Sequence, residues 1–169
     1  MPQLRDKDHQ RRDRREASLL VSELSGLMKR KTLVTALGAL GIVPFALSLL
    51  LPDPEMSLRV FSLYSLAILS FLAGSWWATA LVSIGPNEAQ RLPIVLFSNV
   101  LVLIALGLVL WSGPLMLLGL ACLYVVQAIC ERRFAVFDAQ PAYYRTMRSV
   151  VTVVVVGVHV LAWSLSGRV

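Results

Sequence analysis

Four long stretches of the chain contain no charged residue, and this feature limits the possible folds more than any other. They cover residues 33–51, 60–87, 92–130 and 149–167. A helix needs about 20 mainly apolar residues to cross the roughly 30 Å hydrocarbon layer of a membrane. In that layer only helices and closed barrels satisfy their backbone polar groups, and the alternating segments of a barrel are missing from this sequence. The sequence therefore predicts an integral membrane protein of the all-α class.

The third stretch is too long for one crossing. As a single helix, residues 92–130 would extend about 60 Å, which is twice the membrane. Ser112, Gly113 and Pro114 supply a turn within it. The prediction is a polytopic membrane bundle of five transmembrane helices. Their approximate bounds are 33–51, 58–84, 92–111, 114–130 and 148–166.

The N-terminal region has a different composition. Nine of the sixteen Lys and Arg residues lie within the first 31 residues. An apolar stripe at helical spacing consists of Leu20, Leu24, Leu27 and Met28. The sequence therefore predicts two parts, a basic arm at 1–32 with an amphipathic surface helix and a five-span transmembrane domain at 33–169. A helix that docks on a protein partner is the alternative for the arm.

The positions of the basic residues predict an orientation. If the chain has five spans, fourteen of the sixteen Lys and Arg residues lie on one side of the membrane: nine in the arm, Arg91, and four between residues 131 and 148. Only Arg59 and Arg168 lie on the other side. By the positive-inside rule the N-terminus is cytoplasmic and the C-terminus lies on the opposite side. Anionic lipid headgroups are the expected partners of the arm, and nucleic acid is not expected.

One polar residue from each of the last four spans is expected at a similar depth in the membrane. They are Thr79, Asn99, Gln127 and Thr152. A polar side chain in hydrocarbon costs free energy unless it finds a partner. We therefore expect these four residues to face inward and to hydrogen-bond one another. The alternative is a polar cavity that opens to the cytoplasm.

The second span carries small residues at every fourth position, a pattern that lets another helix approach closely. This small-residue stripe consists of Ser70, Gly74 and Ala78. It predicts that the second span is the packing hub of the bundle. Trp76 and Trp77 lie deeper than tryptophans of an interfacial belt, so we expect at least one of them to pack inside the bundle or to line a cavity.

Two further positions are candidates for function. His159 is an intramembrane residue of the type that titrates near neutral pH, and the sequence shows no acidic partner at its depth. We expect it to be hydrogen-bonded within the bundle, with a proton relay or a metal ligand as the alternative. Asp138 and Arg148 flank the start of the fifth span. They are predicted to pair as a loop clamp, with ligand recognition as the alternative.

Several segments resemble the transmembrane-protein-69-like family of five-span proteins. They are residues 38–45 (GALGIVPF) and 64–77 (YSLAILSFLAGSWW), together with Asp138, Tyr144 and Arg148. The resemblance covers most of the apolar region but not the arm. It implies a protein of bacterial inner membranes or of mitochondria, in a domain-of-unknown-function family without an established biochemical activity.

The sequence departs from the family pattern at two positions and favours one of the two locations. In the family pattern a Trp is preceded by His and followed by Gly. In this sequence Trp77 is preceded by Trp76 and followed by Ala78. A role that needs this histidine is therefore not implied. The acidic residues of the arm are atypical of a mitochondrial transit peptide, so a bacterial inner (cytoplasmic) membrane is the expected location.

No catalytic constellation, metal-ligand spacing or phosphate-binding loop is present in the sequence. We therefore expect neither an enzyme nor a bound cofactor or metal. The leading hypothesis is an accessory, assembly or regulatory protein that acts through helix contacts with another membrane complex. The alternative is a small-solute carrier or channel-like protein with a cytoplasm-facing polar cavity. A membrane-embedded enzyme that uses His159 ranks third.

Overall fold

The computed structural model describes residue 19 and residues 25–29, 31–82, 88–138 and 140–166. Helices connected by short turns make up these residues, which contain no strand. The predicted all-α class is therefore confirmed. The chain divides into two compact units, residues Met1–Leu37 and Gly38–Val169. The boundary that the sequence places after residue 32 stays a prediction.

In the first unit, residues 25–29 and 31–37 are helical. The Thr32 hydroxyl donates a hydrogen bond to the carbonyl of Met28, one turn earlier, at 3.1 Å. Several apolar side chains of this unit are exposed, namely Leu27, Met28, Leu33 and Leu37. Most of the predicted amphipathic helix lies outside the described residues.

The described part of the second unit contains five α-helices and one short 3-10 helix. In chain order they are α1 (Val43–Ser48), α2 (Pro54–Val82), α3 (Glu88–Trp111), α4 (Met116–Arg133), the 3-10 helix Ala135–Phe137 and α5 (Ala142–Ser166). The most extensive packing joins α2 to α3 and α4 to α5. Each of these pairs follows directly in the chain, so short connections place consecutive helices side by side.

Four helical segments of the described chain are long and apolar enough to cross a membrane. They are Ser25–Ser48, Pro54–Val82, Leu92–Trp111 and Ala142–Ser166. The fourth predicted span is α4, an 18-residue helix whose last turn includes Arg132 and Arg133. Basic side chains in a last turn interact favourably with the helix dipole and can reach the membrane surface. The valine-rich α5 is helical as predicted, because an isolated strand leaves its backbone unpaired in lipid.

A proline sets the start of α1. Residues 41–42 form a turn, and Pro44 lies in the first turn of the helix. Proline has no N–H and disrupts the hydrogen bonds of a preceding helix. The Phe45 N–H therefore bonds the Ile42 carbonyl at 3.1 Å rather than that of Gly41. The Gly41 carbonyl accepts the Tyr64 hydroxyl at 2.9 Å, which joins this turn to α2.

The start of α2 is capped by Asp53. Its carboxylate accepts the backbone N–H groups of Glu55 and Met56, both at 3.3 Å. Pro54 takes the first helical position, where a missing N–H costs nothing. An acidic cap satisfies donors that the first turn otherwise leaves free, so the sequence defines this boundary locally.

The turn between α3 and α4 lies at Ser112, Gly113 and Pro114, where the sequence predicts it. Ser112 has a φ of 50°, and its N–H bonds the Leu108 carbonyl at 3.1 Å. A Cβ at Gly113 would lie 2.7 Å from the Trp111 ring. A side chain at this position therefore requires the indole to move.

The face that α2 buries differs from the predicted one. Ala78 and Gly74 of the small-residue stripe are exposed, and apart from the local helix backbone no described atom lies within 4 Å of a Cβ built at Gly74. The buried face instead consists of Phe61, Ser62, Ser65, Leu69, Ala73, Trp76 and Ala80. α2 packs against α1, α3 and α4, as expected of a packing hub, but the small-residue stripe Ser70, Gly74 and Ala78 does not belong to its buried face. Large rings from the other face fill the interior, so the helices do not need close backbone contact there.

Candidate functional site

Three helices meet at the carboxylate of Glu131, in the last turn of α4. Arg148 on α5 donates from Nε to Oε2 at 2.9 Å and from Nη2 to Oε1 at 2.6 Å. Trp76 on α2 donates from Nε1 to Oε1 at 2.8 Å. The two oxygens of Glu131 thus accept three hydrogen bonds from two other helices. We term Glu131, Arg148 and Trp76 the carboxylate clamp.

The side chains of the carboxylate clamp are largely buried. The side chains of Arg148 and Glu131 are 12% and 9% exposed. Trp76 is buried, with its ring centroid 6.3 Å from that of Phe97 and 5.4 Å from that of Phe137. A charge in such a place is tolerated when it is paired and hydrogen-bonded, and Arg matches a carboxylate with two parallel bonds. The clamp therefore fixes three helices in place.

The predicted pairing of Asp138 with Arg148 is wrong. Asp138 is exposed, directly after the 3-10 helix, and Arg148 bonds Glu131 instead. Asp138 is closer in the sequence, but Glu131 is the buried carboxylate that requires a cation. The sequence contains a signal for this pair, because Glu131 is the first charged residue after the charge-free residues 92–130. Of the two tryptophans considered, Trp76 belongs to the clamp and Trp77 is 42% exposed.

A second polar cluster surrounds His159 on α5, which is fully buried. Its Nδ1 lies 2.8 Å from the Val155 carbonyl and its Nε2 lies 2.8 Å from Ser65 Oγ. A carbonyl only accepts, so Nδ1 carries a hydrogen and Nε2 of the neutral ring accepts the Ser65 hydroxyl. Tyr124 on α4 donates to the Ser65 carbonyl at 3.1 Å. We term His159, Ser65 and Tyr124 the histidine network, which also joins α2, α4 and α5.

Aromatic rings enclose the imidazole of His159. The centroids of Phe61, Phe45 and Tyr124 lie 4.7, 5.3 and 5.3 Å from that of the imidazole. Within the described residues, no group of three His, Cys, Asp or Glu side chains is positioned to hold a metal ion. His159 is therefore surrounded by aromatic rings and by polar partners that occupy both of its nitrogens.

The four residues of the predicted polar layer are not joined to one another. Thr79 and the exposed Asn99 each bond the carbonyl four residues earlier on their own helix, at 3.1 and 3.0 Å. Gln127 is buried, and neither of its side-chain polar atoms has a partner among the described residues. Thr152 borders a groove between α4 and α5. The prediction of mutual bonding is wrong, because a helical Thr or Asn can bond its own backbone without any neighbour.

The apolar helices and the two buried polar clusters are consistent with an integral membrane protein of the α-helical bundle class. The chain belongs to the family described as "Protein of unknown function (DUF3429)", whose family model matches residues 30–164. Neither a search of curated proteins nor one of solved structures returns a match. The resemblance to the transmembrane-protein-69-like family stays a prediction.

Proposed function

We propose that this protein is a non-enzymatic accessory protein that binds another membrane protein through helix contacts on α2. Its role is the assembly, stabilisation or regulation of that partner complex. The observation that supports the proposal is the exposed position of Gly74 and Ala78 on a helix able to cross a membrane. These residues are small, and the helices that the structure describes do not bury them.

In lipid, exposed small residues on a helix indicate a surface for contact with another helix. Hydrophobic association gives no drive between helices there, so contacts depend on close packing, which small residues permit. At Gly74 the described residues leave open space for an added Cβ. Phe71 and Trp77 flank the glycine and are 73% and 42% exposed. Gly74 therefore lies between two bulky exposed side chains, one helical turn away on either side, an arrangement suited to contact with a helix from another protein.

The buried polar groups are engaged in hydrogen bonds between helices, which supports a role without catalysis. The Glu131 carboxylate is held by Arg148 and Trp76. His159 has a partner at each ring nitrogen, one of them Ser65. A nucleophile or a general base needs an accessible reacting atom, whereas these groups are used to connect helices.

The proposal includes a location and an orientation. We place the protein in a bacterial inner membrane, with the basic arm and the carboxylate clamp at the cytoplasmic side and the C-terminus on the other side. The charge distribution along the chain supports this orientation. The arm is then positioned to contact anionic headgroups, and kinship with the transmembrane-protein-69-like family is part of the same proposal.

Copurification of the full chain from native membranes in mild detergent tests this function. We expect one membrane protein to be recovered at a constant ratio with the wild type and to be lost with Gly74→Leu. The matched control is Gly107→Leu, because Gly107 is also an exposed helical glycine with open space around an added Cβ. Both variants should fold, and the control should retain the partner.

Two results would overturn the proposal. Equal recovery of the partner with Gly74→Leu and Gly107→Leu would show that the small-residue stripe is not the contact. Loss of only a second copy of this chain, measured with two differently tagged chains, would show that the stripe is a self-association surface.

A small-solute carrier is the weaker candidate. It requires the predicted polar layer to surround one cavity, whereas Asn99 is exposed and Thr79 bonds its own helix. Gln127 remains a buried polar residue without a partner among the described residues, which is too little to define a transport path.

A further inference from the structure

A pocket with arginines in its wall lies between the end of α4 and the start of α5. Its volume is about 470 Å³, and its charged lining residues are Glu131, Arg132, Arg145 and Arg148. Gln140, Thr146 and Ser149 add polar groups to the lining. We term this cavity the basic pocket.

The basic pocket carries an excess of positive charge. Arg148 is neutralised by Glu131, whereas Arg132 and Arg145 form no ion pair with any residue that the structure describes. Arg132 Nη2 donates to Ser149 Oγ at 2.7 Å, which holds its guanidinium between the two helices. Two uncompensated guanidinium groups beside one cavity are suited to bind a phosphate, which Arg recognises through paired hydrogen bonds.

An apolar groove continues from the basic pocket along the same two helices. It has a volume of about 290 Å³ and is lined by Val125 and Ile129 of α4 and by Val153 and Val156 of α5. The groove and the basic pocket have three lining residues in common, namely Ala128, Arg132 and Ser149. They therefore form one depression that is charged at one end and apolar along the other.

The position of this depression relative to the hydrocarbon layer indicates the chemical class of its ligand. The arginines lie where the charge-free stretches 92–130 and 149–167 begin or end, which is the boundary of the hydrocarbon layer. The groove lies beside the charge-free part of α5, where exposed side chains such as Val153 face acyl chains. A ligand that fits both ends has an anionic headgroup and an apolar chain.

We propose that the α4–α5 depression binds one anionic phospholipid, with its phosphate between Arg132 and Arg145 and one acyl chain along Val125 and Val153. A free phosphate compound would leave the groove empty, and an acidic peptide would have no reason to enter hydrocarbon. The lipid also covers the outer side of the carboxylate clamp, because Glu131 and Arg148 line the same pocket.

The test uses the purified full chain in a neutral detergent, with bound lipid counted by native mass spectrometry and stability followed by thermal unfolding. Phosphatidylglycerol is compared with phosphatidylcholine of the same acyl chains, with inorganic phosphate and with a polyglutamate peptide. We expect one bound phosphatidylglycerol that raises the unfolding temperature. Phosphatidylcholine should bind at least about tenfold more weakly, and phosphate and the peptide should have no effect.

Charge variants locate the headgroup. Arg132→Gln and Arg145→Gln should each weaken phosphatidylglycerol binding by roughly fivefold. The matched control is Arg133→Gln, because Arg133 is exposed in the same turn but lines neither the basic pocket nor the groove. Without lipid, Arg145→Gln and Arg133→Gln should unfold at the temperature of the wild type, and Arg132→Gln should unfold slightly below it because it loses the bond to Ser149.

A variant in the apolar groove locates the acyl chain. Val153→Trp fills the groove from an exposed position, and Val160→Trp places the same ring elsewhere on α5. We expect the first to weaken phosphatidylglycerol binding and the second to leave it unchanged.

Four outcomes would overturn the proposal. They are equal binding of phosphatidylcholine, equal stabilisation by inorganic phosphate, binding of polyglutamate in place of the lipid, and an Arg133→Gln effect as large as that of Arg132→Gln. The last would reduce the interaction to general surface charge.

Discussion

Arg148 on α5 bonds both carboxylate oxygens of Glu131 on α4, at 2.9 and 2.6 Å. The pair forms the connection between two helices at one end of the bundle, and Trp76 attaches α2 to the same carboxylate. Because neither charged side chain is more than 12% exposed, each depends on the other for compensation.

Removing one member of this ion pair should be more harmful than removing both. Glu131→Leu leaves the Arg148 guanidinium uncompensated and should lower the free energy of unfolding by about 3 kcal/mol. The double variant Glu131→Leu/Arg148→Met has no unpaired charge and should lose less. Denaturant unfolding in detergent measures both, with exposed Arg133→Ala as a control that should change little. A double variant less stable than Glu131→Leu would contradict the compensation.

The indole N–H of Trp76 should contribute separately from its ring. Trp76→Phe keeps an aromatic side chain beside Phe97 and Phe137 but removes the donor to Glu131. A hydrogen bond to a charged group contributes about 1.5–3 kcal/mol, so a loss of that size is expected in the unfolding free energy. Trp77→Phe is the control, because Trp77 is 42% exposed. Equal losses for the two variants would exclude a specific role for the donor.

His159 and Ser65 should be energetically coupled. In a double-mutant cycle with His159→Leu and Ser65→Ala, we expect a coupling of about 1 kcal/mol, since each single change leaves a buried polar group unpaired. The comparison cycle pairs His159→Leu with Ser98→Ala, because the Ser98 hydroxyl bonds its own helix. That cycle should be additive to within about 0.5 kcal/mol. Thermal unfolding of the single and double variants provides the values.

Gln127 should destabilise the isolated bundle. Its buried amide has no hydrogen-bond partner among the described residues, so its desolvation is not compensated. Gln127→Met keeps the length of the side chain and should raise the unfolding free energy by about 1 kcal/mol. Gln140→Met, at a partly exposed position outside the helices, should change it little. A destabilising Gln127→Met would indicate that the amide has a partner in the membrane.

The helices were predictable because they follow from the avoidance of charge in hydrocarbon. The turn at Ser112 and Gly113 was predictable for a local reason, since small residues and proline interrupt a helix there. The valine-rich α5 was assigned correctly because the solvent, rather than propensity, decides between helix and strand in lipid.

The inward face of α2 was not predictable in the same way. In water, apolar residues mark the core, but in lipid both faces of a helix are apolar and this signal disappears. The choice between the stripe with Gly74 and the face with Trp76 depended on which rings the neighbouring helices supply. The partner of Arg148 was missed for a related reason. Proximity in sequence favoured Asp138, whereas burial selected Glu131.

The two ends of the α4–α5 pair are fastened unequally. At one end, Arg148 donates two hydrogen bonds to Glu131 and Arg132 donates one to Ser149. At the other, the Trp163 indole donates a single bond to the carbonyl of Pro114, at 3.1 Å and in an exposed position. Neutral exposed bonds break more readily than buried bonds to a charge. We therefore expect these helices to separate first at Trp163, while the ion pair between Glu131 and Arg148 still holds their other ends together.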